Sequence, residues 1–131
     1  MAQEREKQVP KILIVDDEPA TRALMRKMLS GLSSPCEIVE AYGGKHALQV
    51  IAALKPDIVL LDIIMPDMDG LGVLMELNRD PATRNTKVVL VSIRAEERMV
   101  QTGLVMGAAD YISKPFTQAQ LVSLVERLLP P

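Results

Sequence analysis

A chain of 131 residues, 48% apolar and with a formal charge of -2, has room for one domain with a sizeable core and needs no disulfide or structural metal. Scattered basic residues, two tyrosines, one phenylalanine and no tryptophan exclude a phosphate-backbone binder and an aromatic platform for single strands, so no direct nucleic-acid binding is expected of this segment. The single cysteine, Cys36, and the lack of any apolar run of about 18 residues exclude a disulfide scaffold, a cysteine-based metal site and a membrane-spanning helix, and a cytoplasmic chain follows.

Residues 1–10 read as a flexible leader, residues 11–129 as the domain, and residues 130–131 as a tail or the start of a linker. Lys11 to Val15 is a short apolar run that ends in Asp16-Asp17-Glu18, a buried strand with carboxylates at its carboxyl end. Pro19 begins a helix, because its missing N–H costs nothing there, and Leu24, Met25, Met28 and Leu29 continue it at helical spacing. Gly31 and Ser33-Ser34-Pro35 stop it. Cys36 to Ala41 is a weakly alternating strand, and Ala47, Val50, Ile51 and Leu54 mark a second helix that ends before Pro56.

Asp57 to Asp62 carries four apolar residues in a row, opened by Lys55-Pro56 and closed by Pro66 and Gly70, and predicts a strand covered on both faces. Leu71, Leu74, Met75 and Leu77 give a third helix, broken near Asp80-Pro81. Lys87 to Ser92 is a strand closed by a hydroxyl, and a helix over Glu96 to Met106 ends at Gly107. Ala108 to Ile112 is a short strand, and Leu121, Leu124, Val125 and Leu128 line a last helix. Five strand–helix units with short connections predict a parallel α/β sheet with helices on both faces.

The carboxyl ends of parallel strands share one edge, where open α/β sheets bind their ligands. Asp16 and Asp17, Asp62, Ser92 and Lys114 all fall there. Carboxylates packed together repel unless a cation intervenes, and oxygen donors without a Cys/His set suit Mg²⁺ better than zinc. A central carboxylate flanked by Mg²⁺ and a lysine suits phosphoryl transfer, in which positioning and charge stabilisation carry the catalysis. Each residue has an ordinary alternative as a turn or cap residue; their convergence favours the site.

The paired acids in Ile14-Val15-Asp16-Asp17-Glu18, the run Asp62-Ile63-Ile64-Met65-Pro66-Asp67-Met68-Asp69-Gly70, Ser92, and Gly107-Ala108-Ala109-Asp110-Tyr111-Ile112-Ser113-Lys114-Pro115-Phe116 resemble the receiver domain of bacterial two-component response regulators, over about residues 11–129. The resemblance implies a doubly wound five-stranded parallel sheet of order 2-1-3-4-5, the flavodoxin-like, CheY-like (βα)5 arrangement. It implies that Asp62 accepts a phosphoryl group from a sensor histidine kinase or a histidine phosphotransfer protein. Mg²⁺, with Mn²⁺ as the alternative, would be held by Asp17, Asp62 and the backbone carbonyl of Ile64, with Asp16 reaching it through a water. Lys114 would pair with the phosphoryl oxygens, Ser92 would turn in to hydrogen-bond one of them, and Tyr111 would follow. The face of the fourth helix, fifth strand and fifth helix would then switch, which makes a homodimer through that face an expected mode. The downstream effector is not readable, and the chemistry serves a switch and not turnover.

Two features depart from the usual pattern. Ile93 stands after Ser92 where a small residue is usual, and Ile64 offers no polar side chain to orient a water, while Arg94 can approach the phosphoryl group. A long-lived acyl phosphate is the expectation. Two competing readings are a receiver fold used as a phosphorylation-independent scaffold, against which all the acids and the lysine are present, and a small-molecule enzyme on a similar sheet, against which no Gly-rich phosphate loop follows the first strand. Glu96, Glu97, Arg98, Glu126 and Arg127 read as solvated charges, with service in a symmetric dimer as the alternative.

Overall fold

Successive side chains of a strand point to opposite sides, so an unbroken apolar run must be covered on both faces. A computed structural model describes residues 9–131; the leader expected over residues 1–10 lies outside them apart from Val9 and Pro10. Five strands, β1 (Lys11–Val15), β2 (Glu37–Ala41), β3 (Ile58–Asp62), β4 (Lys87–Ser92) and β5 (Asp110–Ser113), alternate with five helices, α1 (Pro19–Leu29), α2 (Gly44–Leu54), α3 (Gly70–Arg79), α4 (Glu97–Val105) and α5 (Gln118–Leu128). All neighbouring strands are parallel, in the order β2-β1-β3-β4-β5.

Ile12, Ile14, Ile58, Leu60, Val89 and Val91 face α1 and α5, where they meet Met25, Leu29, Leu121, Leu124 and Val125. Their neighbours Leu13, Val15, Val59, Leu61, Val88 and Leu90 pack on the other face against Ala47, Ile51, Val73, Leu74, Leu77 and Val100. None of these twelve strand residues is more than 1% exposed, and each contributes roughly 1.5–3 kcal/mol of transfer free energy. The edge strand β2 is only half buried, which explains its weak alternation.

Three boundaries differ from expectation. β2 begins at Glu37, whose N–H makes the first link of its ladder, to Pro10 O. β5 runs Asp110–Ser113 and not from Ala108, because Ala108 N closes α4 on Gly103 O. Arg94–Glu96 forms a separate 3-10 turn before α4. Two helix ends are distinctive. Thr117 Oγ1 accepts from Gln120 N while the Gln120 side chain accepts from Thr117 N, a reciprocal cap on α5. α2 ends on Lys55 in the left-handed region (φ 49, ψ 62).

The chain leaves β1 toward β2 and returns to β3 on the other side, so the strand order reverses between β1 and β3. The crevice at their carboxyl ends is where this architecture places ligands. No described helix is long and apolar enough to cross a membrane.

Candidate functional site

Asp16 and Asp17 follow β1 directly, and Asp62 is the last residue of β3, so two adjacent strands deliver three acids to the crevice. One carboxylate oxygen from each lies within 4.8 Å of the others. Asp16 is 1% exposed and Asp62 9%, while Asp17 opens to solvent. Lys114, just past β5, reaches across the end of β4 and sets its Nζ 3.3 Å from Asp62 Oδ1 and 3.5 Å from Asp16 Oδ2. Its amide donates to Ser92 O at 2.7 Å, and its peptide bond to Pro115 is cis. Ser92 ends β4 and is buried. Asp16, Asp17, Asp62, Ser92 and Lys114 therefore stand together at one sheet edge.

One ammonium does not balance three carboxylates. Burial pushes the Asp62 carboxyl up to about 6, against the pull of Lys114, and repulsion from Asp16 and Glu96 adds to the rise. Burial works against the Lys114 ammonium too, but Asp62 and Asp16 outweigh it and raise its proton affinity. The excess negative charge, on closely spaced oxygen donors with neither Cys nor His among them, fits a hard divalent cation.

The surrounding backbone is tied down by residues the sequence did not single out. Arg22 Nη1 donates to Asp16 O at 2.6 Å, and its Nε to Glu40 Oε1 at 2.9 Å. Arg26 holds the other Glu40 oxygen at 2.7 Å, and hydrogen bonds from Arg26 and Arg22 lower the Glu40 carboxyl despite its partial burial. The loop after Asp62 closes on itself through Gly70 N to Ile63 O at 2.6 Å. Ile64 in that loop points outward, 52% exposed.

On the β4–β5 side a cavity of about 460 Å³ opens beside the acids, lined by Ser92, Ile93, Arg94, Glu97, Val100 and Tyr111 among others. Tyr111 and Ile93 are 43% and 48% exposed, so Tyr111 borders this cavity and not the acid cluster. Glu96, expected to be a solvated charge, instead accepts from Ile93 N at 3.0 Å and adds to the field on Asp62. Glu126 and Arg127 are exposed, as expected, and are paired as well: Glu126 Oε2 accepts from Ser33 N at 3.0 Å and Oγ at 2.8 Å, and Arg127 Nη2 meets Asp110 Oδ2 at 2.6 Å. Most of these partners are far apart in sequence, so no local pattern marks them. Glu96 is local, but Ile93 has no side-chain acceptor to complete a recognisable capping box.

Residues 12–126 match the family model for the response regulator receiver domain. The chain is 40% identical over 123 residues to the regulatory protein AtoC of Escherichia coli, covering 92% of this chain and 25% of that one. It is 36% identical over 118 residues to the phosphate regulon transcriptional regulatory protein PhoB of Pseudomonas aeruginosa, covering 90% and 51%. The crystal structure of the receiver domain of NtrX from Brucella abortus superimposes with a TM-score of 0.78 at 31% identity, over 90% of this chain and 97% of that one. The chain thus spans a quarter to about half the length of these curated relatives.

Proposed function

The chain belongs to the response regulator receiver domain family, signalling switches that catalyse only their own phosphorylation and dephosphorylation, and on that premise we propose that it is the phosphoacceptor module of a two-component relay, with Asp62 as acceptor. The observation that carries this reading is the cluster itself: three carboxylates within 4.8 Å of one another, with Lys114 Nζ 3.3 Å from Asp62. In the proposed reaction an Asp62 Oδ atom bonds to phosphorus as the N–P bond of a phosphohistidine on a sensor kinase or phosphotransfer protein breaks. The electron pair returns to the imidazole nitrogen, and the product is an acyl phosphate.

Asp17, Asp62 and the Ile64 carbonyl would hold Mg²⁺ or Mn²⁺, with Asp16 acting through a water; the bound ion supplies charge neutralisation for the phosphoryl oxygens. Lys114 screens Asp62 in the resting chain and is within reach to pair with a phosphoryl oxygen once it arrives. The added charge and acceptor oxygens draw the Ser92 hydroxyl inward, and Tyr111 moves into the adjoining cavity. The α4-β5-α5 face then selects its second packing. A homodimer or a downstream effector reads that face, in the cytoplasm.

Incubation with a small acyl-phosphate donor and Mg²⁺, followed by intact mass and sedimentation, tests the reading. Wild type gains one phosphoryl group and Asp62→Ala gains none. A wild-type chain that stays unmodified with Mg²⁺ present overturns the acceptor assignment and leaves a scaffold. Dimerisation on phosphorylation identifies a two-fold output.

A further inference from the structure

The segment Asp67-Met68-Asp69-Gly70 follows the acceptor strand, yet the chemistry above uses none of its side chains. Asp69 serves the helix it precedes, since its Oδ1 accepts from Gly72 N at 2.8 Å and caps α3. Asp67 caps a different helix. Its Oδ1 accepts from Gly44 N at 3.1 Å and its Oδ2 from Lys45 N at 3.0 Å, 23 and 22 positions earlier in the chain. These amides are among those a helix leaves without an internal partner, and the residue at the α2 cap, Gly43, has no side chain to serve them. The Lys45 and Gly44 amides hold the Asp67 carboxyl below its ordinary range.

The approach requires bare backbone. A Cβ on Gly44 would stand 2.7 Å from the Met68 carbonyl oxygen, and one on Gly43 would stand 3.0 Å from Asp67 Oδ1. The ends of the loop are fixed by Ile63 N to Val91 O and Gly70 N to Ile63 O. Between them Met65 is an apolar anchor, buried at 6% exposure, and the Asp67 carboxylate is a polar one. Ile64 lies between Ile63 and these anchors.

We propose that Asp67 is a positioning residue for the acid site: by stapling the loop after Asp62 to the first turn of α2, it fixes the Ile64 peptide beside the three carboxylates and sets how tightly a divalent cation is held. The inference rests on the metal-dependent reading above. Supporting partners of metal ligands commonly govern affinity by tenfold or more.

Mn²⁺ titration of the 131-residue chain, with free ion counted by electron paramagnetic resonance, tests it beside urea midpoints. Asp67→Ala raises the Mn²⁺ Kd about tenfold. Gly44→Ala keeps the carboxylate charge and favours the helix, yet displaces the loop and raises the Kd in the same direction. Thr83→Ala removes a buried hydroxyl that donates to Leu77 O at 2.9 Å beyond the far end of α3, lowers the urea midpoint comparably and leaves the Kd within about twofold. Asp67→Asn keeps one acceptor and carries the test, with a rise of about threefold, if the alanine variant does not fold. Unchanged affinity in the Asp67 variants overturns the staple. So does a loss confined to those variants and absent in Gly44→Ala, which would assign the effect to charge, or an equal loss in Thr83→Ala, which would assign it to general stability. A wild-type chain that binds no Mn²⁺ fails the underlying metal reading and the staple with it, whereas wild-type binding with unaffected variants fails the staple alone.

Discussion

On the β1–β3 side of the site the backbone is tied at successive points, whereas on the β4–β5 side it is held at few and stands beside open space. Arg22 grips the peptide joining Asp16 to Asp17, Asp16 Oδ1 accepts from Glu18 N at 2.8 Å, Gly70 closes the loop after Asp62, and Asp67 docks that loop on α2. Across the crevice, the stretch after Ser92 is a 3-10 turn held by Glu96, and Ile93 and Tyr111 are nearly half exposed around the 460 Å³ cavity. One small edge thus joins a tightly held half to a loosely held one. Oxygen donors for a cation must keep their spacing, so their side is preorganised. On the proposed reading, the groups that answer a newly arrived charge would travel, and their side has the room for it.

The largest expected effect isolates the rigid side. Asp62, pushed up to about 6 from the usual 3.8, binds its proton more tightly in the folded chain than in the unfolded one. Its stabilising contribution is therefore full below the unfolded value and is lost as pH rises to about 6, leaving a cost of about 3 kcal/mol at pH 7. Asp62→Asn is expected to stabilise the metal-free chain by roughly 2–3 kcal/mol at pH 7 and by little near pH 4. Urea unfolding at the two pH values checks this; an equal gain at both would remove buried charge as the cause.

A middle-sized effect belongs to the yielding side. On the proposed reading Ile93 beside the pocket would shield the acyl phosphate, and Ile93→Ala is then expected to shorten its lifetime about fivefold, or about 1 kcal/mol of barrier. Loss of the phosphoryl mass over time measures it, and a wild-type half-life of seconds, untouched by the substitution, would sink the idea. The smallest effect is a control on both sides. Lys55→Gly relieves the left-handed backbone at the end of α2 and is expected to add about 0.5 kcal/mol. Thermal melts would register it, while Mn²⁺ affinity and acyl-phosphate lifetime should stay put; movement in either would mean that the two sides are not insulated from remote stability.

The sheet and the acids were legible because both are written locally. Uninterrupted runs such as Ile58 to Leu61 have only one way to bury four apolar residues, and a carboxylate or lysine directly after such a run falls at a shared edge. The shift of β5 to Asp110 was not legible, since Ala108 is as compatible with a strand as with the helix closure on Gly103 that it makes. The supports of the site escaped for another reason. Arg22 with Glu40, and Asp67 with Gly44, meet only once the sheet has formed, and a Gly43-Gly44 pair announces a turn without saying what will dock on it.

Since the Lys114 amide hangs on the Ser92 carbonyl at 2.7 Å, the hydroxyl and the ammonium ride on one yoke. On the proposed phosphoacceptor reading, an anion that draws in either would bring the other and tow the end of β5, with Tyr111 three residues back along it. β5, like β2 at the opposite edge, has a neighbour on one side only, so its displacement disturbs a single ladder. On that reading the parts form a lever: a fulcrum at β3, a short arm at Ser92, and a long arm along the β5 edge.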